Sequence, residues 1–128
     1  MSVLEVGAGL GGTTPFLMNE KILSYTAIEP DPELCARLAA EFSGKSSLKV
    51  SVSDRTVADL PPGDRFDCIT YIDVLEHIED DCAELEAAAA HLKPAGVIAV
   101  LSPAFEALRS PFDDAIGHWR RYTRHSTR

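Results

Sequence analysis

The first residues that could do chemistry form a glycine-rich turn after a short apolar run. Gly7, Gly9 and Gly11 allow the chain to turn tightly and bring bare backbone close to a ligand. The N–H groups of the helix expected next suit an anionic or polar group. Glu5 lies in the otherwise apolar run, where burial of a carboxylate requires a donor or a cation. The sequence therefore predicts a ligand site at this turn, with positive charge near Glu5.

The same glycines permit a second interpretation. Gly7, Gly9 and Gly12 also satisfy the Gly-x-Gly-x-x-Gly pattern of dinucleotide-binding turns. Glu5 would repel a pyrophosphate, however, whereas it would attract an ammonium group or a bound cation. We therefore favour a positively charged ligand and keep an NAD(P)-binding oxidoreductase as the rival class.

Two further acids are expected at the ends of strands. Glu29 follows the apolar segment 25–28, about twenty residues after the glycine turn, where nucleotide-binding folds place an acid on the ribose hydroxyls. A carboxylate can accept from both hydroxyls at once. Asp54 follows the alternating segment 48–52 and either accepts from an adenine amino group or caps the short helix expected next. Both acids are therefore candidates for a nucleoside site.

A third polar group follows the strand predicted at 66–72. Asp73, Glu76 and His77 have the i, i+3 and i+4 spacing that can hold a divalent ion on one helix face. A fourth ligand is not evident, although His118 could serve. The simpler interpretation is that His77 caps a helix or lines the pocket, so we predict no metal.

A basic and aromatic segment follows the last predicted strand. Residues 117–122 read Gly-His-Trp-Arg-Arg-Tyr, and such side chains suit a flat or anionic small molecule. Because histidine titrates near neutral pH, His118 could take a proton from an acceptor hydroxyl or acidic carbon. It could equally be a hydrogen-bonded loop histidine.

Strands and helices must alternate to position these residues. No internal repeat or domain boundary interrupts the alternation, which predicts one α/β domain with a doubly wound parallel sheet and helices on both faces. We predict strands at 3–6, 25–28, 48–52, 66–72 and 97–101, and helices at about 15–21, 32–42 and 78–92.

Composition and charge restrict the partners. The chain has a net charge of −8, which argues against broad binding to nucleic acid or to a membrane surface. Residues 1–117 carry 8 basic and 20 acidic residues, whereas residues 118–128 carry four arginines and no acid. The longest aliphatic run, 97–101, is too short to span a bilayer.

The cysteines indicate a reducing compartment. Cys35, Cys68 and Cys82 are odd in number and lack Cys-x-x-Cys spacing, which favours free thiols over a disulfide framework or a zinc site. No signal segment opens the chain. We therefore predict a cytoplasmic protein.

Several of these motifs, in this order, resemble those of the class I S-adenosylmethionine-dependent methyltransferases. Position 95, an alanine, is a glycine in most members, and we expect this difference to be harmless if residue 95 keeps a negative φ. The matching segments are 5–11, 28–31, 53–54, 66–77 and 92–97.

The resemblance implies a Rossmann-like sheet in the order 3-2-1-4-5 and S-adenosyl-L-methionine as cofactor, with S-adenosyl-L-homocysteine as product. The glycines would border methionine and ribose, Glu29 would hold the ribose, Asp54 would meet the adenine, and Asp73 would lie under the methionine. The 117–122 segment would lie on the acceptor side. The implied cofactor-binding residues are Glu5, Gly7, Ala8, Gly9, Gly11, Glu29, Pro30, Ser53, Asp54, Asp73 and Val74, and the catalytic candidates are His77 and His118.

The implied activity is methyl transfer to an O, N or C atom of a small molecule. Such a site aligns a nucleophile with the methyl group and supplies a base only where one is needed. A nucleic-acid or protein methyltransferase is the nearest alternative, although the acidic residues would repel a phosphate backbone. A truncated, non-catalytic cofactor-binding module is a further alternative.

The boundaries of the chain suggest an incomplete family domain. We assign residues 1–128 to one domain, with a core at 1–103 and an acceptor-side tail at 104–128. Relative to the family, the chain is expected to lack the leading helix and the C-terminal antiparallel strands, so it would be truncated at both ends. The apolar fifth strand would then be an open edge, which predicts a homodimer through 97–101.

Overall fold

The computed structural model describes residues 1–9, 11, 14–17, 20–42 and 50–101. Strands and helices alternate through these residues, as the sequence predicts. The elements are β1 (Ser2–Val6), α1 (Thr14–Leu17), β2 (Ser24–Ile28), α2 (Pro32–Phe42), β3 (Val50–Ser53), β4 (Phe66–Ile72), α3 (Asp81–Ala89) and β5 (Leu92–Leu101), with 3₁₀-helices at Val57–Asp59 and Leu75–His77.

The strands form one five-stranded sheet in the order β3-β2-β1-β4-β5. All four strand pairs are parallel, with β1 between β2 and β4. The predicted Rossmann-like α/β fold and strand order are therefore confirmed. Parallel order brings the carboxyl ends of all strands to one edge of the sheet, where such folds bind ligands.

The two faces of the sheet carry separate apolar clusters. Successive residues of a strand point to opposite faces, so Val3 joins one cluster while Leu4 and Val6 join the other. Leu38 of α2 packs in the cluster of Val3, and Ala88 of α3 packs in that of Leu4. The sheet is thus covered on both sides, which explains the almost continuous burial of β1.

Aspartates cap two of the helices. The Asp31 carboxylate accepts from the backbone N–H groups of Glu33 and Leu34 at 2.9 and 3.2 Å, which begins α2 where the sequence predicts. Asp80 accepts from the N–H of Ala83 at 2.9 Å and begins α3 at Asp81, later than predicted. The apolar spacing from Ile78 suggested a longer helix, because the preceding 3₁₀-helix has no signature of its own in the sequence.

The turn into β5 differs from the sequence-based expectation. The strand begins at Leu92, earlier than the predicted start at residue 97, and its pairing with β4 shifts register between Phe66 and Cys68. Ala95 has φ 64°, so the condition under which the alanine was expected to be harmless, a negative φ, is not met. An L-residue in this left-handed region costs about 1 kcal/mol relative to its ordinary conformations. The replacement of a glycine at this position is therefore not neutral.

β5 carries apolar side chains on an exposed surface, as expected for an edge strand. Val97 is 57% exposed and Leu101 is 61% exposed. The three cysteines are free thiols, as predicted. Within the described residues, no helix has both the length and the apolar character needed to cross a membrane. The tail at 104–128, with His118, lies outside the described residues.

Candidate functional site

A cavity of about 320 Å³ lies at the carboxyl ends of the strands. Its volume is suited to a small organic ligand. It collects residues from the ends of β1 and β2, the loop after β3, the segment after β4, and α3. These residues are Val6, Gly7, Glu29, Pro30, Arg55, Thr56, Val57, Asp73, Val74, His77, Ile78 and Glu84.

The glycine turn approaches the segment after β4 closely at Gly7. Gly7 has φ 68°, and a Cβ built there would lie 2.7 Å from Cγ2 of Val74. The N–H groups of Gly7 and Ala8 donate to the carbonyl of Ile28 at 2.9 and 3.2 Å. Both the left-handed backbone and the lack of space therefore require glycine at position 7.

Glu29 is the acid most firmly oriented toward the cavity. Its Oε2 accepts from the N–H of Gly9 at 2.9 Å, and its Oε1 accepts from the N–H of Asp31 at 3.2 Å. The residue is only 8% exposed. Because each carboxylate oxygen has two lone-pair sites, both oxygens retain capacity for a further donor. Glu29 can thus accept from a pair of hydroxyl groups without losing its backbone contacts.

Glu5 occupies a different environment from the one expected. It is 2% exposed and does not line the cavity, and its Oε2 accepts from the hydroxyls of Thr14 and Tyr25 at 2.5 and 2.6 Å. Burial, together with the Glu5 carboxylate, raises the pKa of Tyr25, so the phenol remains a donor. These hydroxyls supply the partners that burial demands, and the inference of a cation beside Glu5 loses its basis. Glu5 instead ties α1 and β2 to the strand before the turn.

Asp73 and Val74 line the cavity in the segment after β4, and Val74 lies beside Gly7 of the glycine turn. Asp73 has φ 52°, and its N–H donates to the carbonyl of Leu101 at 2.7 Å. Its side chain is exposed. Non-glycine residues in this left-handed region are uncommon and cluster at functional sites, with aspartate among the types that tolerate it best.

Asp54 and Ser53 do not line the cavity, although the three residues that follow them do. Asp54 is exposed and does not cap the next helix. That helix begins after Thr56, whose N–H and hydroxyl donate to Asp59 Oδ2 at 3.2 and 2.9 Å and lower the pKa of Asp59. The capping alternative for Asp54 is therefore wrong, and its role toward adenine stays a prediction.

The Asp73, Glu76 and His77 group does not converge on a common point. Glu76 is fully buried, whereas Asp73 and His77 are exposed, and His77 Nε2 lies 4.0 Å from Glu76 Oε1. Residues 75–77 form a 3₁₀-helix, so the α-helical spacing assumed from the sequence does not apply. Across the described ranges, no three His, Cys, Asp or Glu side chains are grouped to hold a metal ion. His77 lines the cavity instead.

Several cavity residues were not identified from the sequence. Arg55, Thr56 and Val57 come shortly after the end of β3 at Ser53, and their place after a strand was a usable signal. Glu84 lies on α3, and nothing in its local sequence marks it. Its Oε1 accepts from the hydroxyl of Tyr71 at 2.9 Å, and burial together with Glu84 raises the pKa of Tyr71.

The structure thus brings together six of the predicted site residues. It places Glu5, Ala8, Gly9, Gly11, Ser53 and Asp54 outside the cavity lining, although Gly9 reaches it through Glu29. His118 lies outside the described residues. The predicted residues that line the cavity are Gly7, Glu29, Pro30, Asp73, Val74 and His77.

Comparison with known sequences identifies the class of protein to which the resemblance in the sequence also points. A family model described as a methyltransferase domain matches residues 1–128. A ubiquinone biosynthesis O-methyltransferase of Xanthomonas campestris pv. campestris (strain B100) is 38% identical over 99 residues, which are 75% of this chain and 40% of that protein. One from Bradyrhizobium diazoefficiens is 33% identical over 103 residues, 78% of this chain and 39% of that protein.

Solved structures share the fold. A chain from the complex between a methyltransferase and the Trm112 methyltransferase activator of Haloferax volcanii has a TM-score of 0.80 at 21% identity, over 99% of this chain and 57% of its own. An S-adenosylmethionine-dependent methyltransferase of Clostridium acetobutylicum has a TM-score of 0.70 at 24% identity, over 84% of this chain and 44% of its own.

Fold, cavity and family model together define a methyltransferase domain. The chain belongs to this family, within the class I S-adenosylmethionine-dependent methyltransferases, and the resemblance found in the sequence is confirmed. The chain spans about 40% of the length of the curated relatives it matches.

Proposed function

We propose that this chain binds S-adenosylmethionine in the cavity and, in the complete protein, transfers the methyl group to a hydroxyl oxygen of a small molecule. The observation that carries the cofactor part is the Glu29 carboxylate, held by the N–H groups of Gly9 and Asp31 at the cavity wall. The hydroxyl acceptor is supported by the O-methyltransferase relatives.

The residues of the cavity fit this cofactor chemically. The free lone pairs of Glu29 suit the two ribose hydroxyls. Pro30, Val57, Val74 and Ile78 supply apolar surface for a flat base. The Asp73 carboxylate adds negative charge to a site for a ligand with an ammonium and a sulfonium group.

The cofactor supplies an electrophilic methyl group when bound, and the residues of the chain hold the cofactor in place. Glu29 and the Gly7–Val74 contact shape the nucleoside side, while Asp73 is proposed to lie near the methionine part. A hydroxyl acceptor has to lose its proton as it is methylated. His77, at the cavity wall, and His118 of the acceptor-side tail are the proposed bases.

We further propose a cytoplasmic protein that acts neither on nucleic acid nor at a membrane. The support is the net charge of −8, because an acidic protein repels phosphate backbones and anionic lipid surfaces.

Calorimetric titration with S-adenosylhomocysteine tests the proposal, with NAD(H) as the matched comparison. We expect S-adenosylhomocysteine to bind and to raise the melting temperature, since a ligand that binds only the folded state stabilises it. NAD(H) is expected to do neither. Binding of NAD(H) alone would support the oxidoreductase alternative, and binding of neither ligand would contradict the cofactor site.

A further inference from the structure

The backbone turns sharply where β4 ends beside the cavity. Asp73 follows the last residue of β4 and has φ 52°, in the left-handed region that L-residues other than glycine seldom adopt. Its N–H donates to the carbonyl of Leu101 at 2.7 Å, which extends the pairing with β5 by one residue beyond Ile72. A strained residue that lines the cavity is therefore held in place by the end of β5.

The part of the cavity wall that follows β4 depends on this turn. Val74 comes next in the chain and lies so close to the glycine turn that a Cβ on Gly7 would be 2.7 Å from its Cγ2. The carbonyl of Val74 accepts from the N–H of His77 at 2.9 Å, within the turn that forms the 3₁₀-helix after β4. Asp73, Val74 and His77 all line the cavity. A change in the backbone of Asp73 consequently moves two further residues of the lining.

We infer that Asp73 is a conformational hinge that couples ligand binding in the cavity to the end of β5. In the closed state, Asp73 is left-handed and its N–H is bound to the carbonyl of Leu101, as the structure shows. In the open state, Asp73 adopts an ordinary backbone conformation, the hydrogen bond to Leu101 is broken, and the wall no longer fits the ligand. The inference rests on the proposed function, since S-adenosylmethionine is the ligand that favours the closed state.

Two opposing contributions of similar size allow the hinge to open. The left-handed conformation costs free energy because the Cβ of an L-residue crowds the following carbonyl oxygen. The hydrogen bond to Leu101 offsets a comparable amount. Asp73 and Leu101 are both exposed, so water competes for this hydrogen bond. The closed state is therefore only slightly favoured in the free chain, and a ligand that requires this state shifts the equilibrium toward it.

The coupling reaches the acceptor side through the chain itself. Leu101 ends β5, and the tail at 104–128 follows it closely in the sequence. Linkage is reciprocal, so a ligand that closes the hinge also holds the end of β5, and contacts that hold the end of β5 strengthen ligand binding. Cofactor binding thereby fixes the point from which the acceptor-side tail begins.

Amide hydrogen exchange measured by NMR on residues 1–128 tests the coupling. At saturating S-adenosylhomocysteine we expect the protection of the Asp73 amide to rise at least about tenfold, because the ligand suppresses the local opening. The amide of Leu23 is the matched control. It also bonds one residue outside the paired strands, to the carbonyl of Met1 at 2.8 Å, but at the amino edge of the sheet. Its protection should change by less than about twofold.

Glycine and alanine at position 73 isolate the contribution of the backbone conformation. Both substitutions remove the carboxylate, but only glycine adopts a positive φ without a steric cost. Calorimetric titration should show that Asp73→Gly binds S-adenosylhomocysteine at least about fivefold more tightly than Asp73→Ala, the factor that the cost of a left-handed L-residue predicts. Ala95 is also left-handed but lies outside the cavity lining, so Ala95→Gly is the control and should leave the affinity unchanged.

The outcomes separate the coupling from the proposed function. If the unmodified chain does not bind S-adenosylhomocysteine, the proposed function is contradicted, and the coupling with it. Binding without a selective rise in the protection of the Asp73 amide overturns the coupling alone. Equal affinities of Asp73→Gly and Asp73→Ala also overturn it, because the left-handed backbone would then contribute only to the stability of the whole fold. Circular dichroism verifies that each variant is folded.

Discussion

The backbone N–H of Gly9 donates to Oε2 of Glu29 at 2.9 Å and so joins the glycine turn to the end of β2. The two motifs are twenty residues apart in the sequence, yet they form one wall of the cavity. Glu29, the acid proposed to bind the ribose, is thus oriented by a hydrogen bond from the glycine turn.

Glu29→Gln should weaken S-adenosylhomocysteine binding by about 10- to 100-fold, because the amide loses acceptor capacity at both the turn and the ribose. Isothermal titration calorimetry measures the change. Glu33→Gln is the control, since Glu33 is an exposed residue that pairs with Arg37 on α2 and does not line the cavity. If Glu29→Gln and the unmodified chain bound S-adenosylhomocysteine with equal affinity, Glu29 would not be the residue that binds the ribose.

Tyr25→Phe should lower the free energy of unfolding by about 1–3 kcal/mol, because it removes a donor from the buried Glu5 carboxylate. Urea unfolding measures this loss, with the exposed neighbour Ser24→Ala as control. Affinity for S-adenosylhomocysteine should change little in the folded variant, since neither Glu5 nor Tyr25 lines the cavity. Weaker binding of S-adenosylhomocysteine at unchanged stability would instead indicate that Glu5 contributes to cofactor binding.

Ala95→Gly should stabilise the chain by about 0.5–1 kcal/mol. Glycine adopts the φ of 64° observed at this position without the steric cost of a Cβ. Ala99→Gly is the matched control in the same strand. There the glycine should lower the stability of the folded chain, because it increases the conformational entropy of the unfolded chain. Urea midpoints of both variants measure the effect, and a loss of stability in Ala95→Gly would contradict the left-handed conformation.

Asp67 should contribute to the stability of the folded chain at neutral pH, and this contribution should be lost at low pH. The backbone N–H of Ser2, followed by the ammonium group of Lys93, lowers the pKa of Asp67 from 3.8 to about 2. A carboxyl with a lowered pKa stabilises the folded state above its unfolded pKa, and this contribution disappears as the pH falls through the folded value. The melting temperature of Asp67→Asn should therefore lie below that of the unmodified chain at neutral pH, and the two should converge between pH 3.8 and about 2. A constant difference down to pH 2 would exclude this origin.

The exposed apolar edge at β5 predicts that residues 1–128 form a homodimer. Val97 and Leu101 present large exposed apolar side chains on β5, which is an edge strand of the sheet among the residues that the structure describes. Static light scattering at increasing concentration should show the dimer, and Val97→Lys should shift it toward monomer. A monomer at high concentration would count against this interface.

The sequence by itself determined the fold and the residues that end its strands. Alternation of apolar strands with capped helices specifies a parallel sheet, and the glycines of one turn require close backbone approach. Because parallel strands share one carboxyl edge, Gly7, Glu29 and Asp73 had to meet there. Their convergence follows from topology alone, without knowledge of side-chain packing.

Only the tertiary structure decided which side chains satisfy one another. The hydroxyls that meet Glu5, the Tyr71 hydroxyl that holds Glu84, and the left-handed Ala95 all depend on how separate elements pack. Local periodicity contains no information about such contacts, since they join residues on different strands and helices. The cavity edge was therefore predictable from spacing, whereas the partners of its buried acids were decided by the requirement that buried polar groups be hydrogen-bonded.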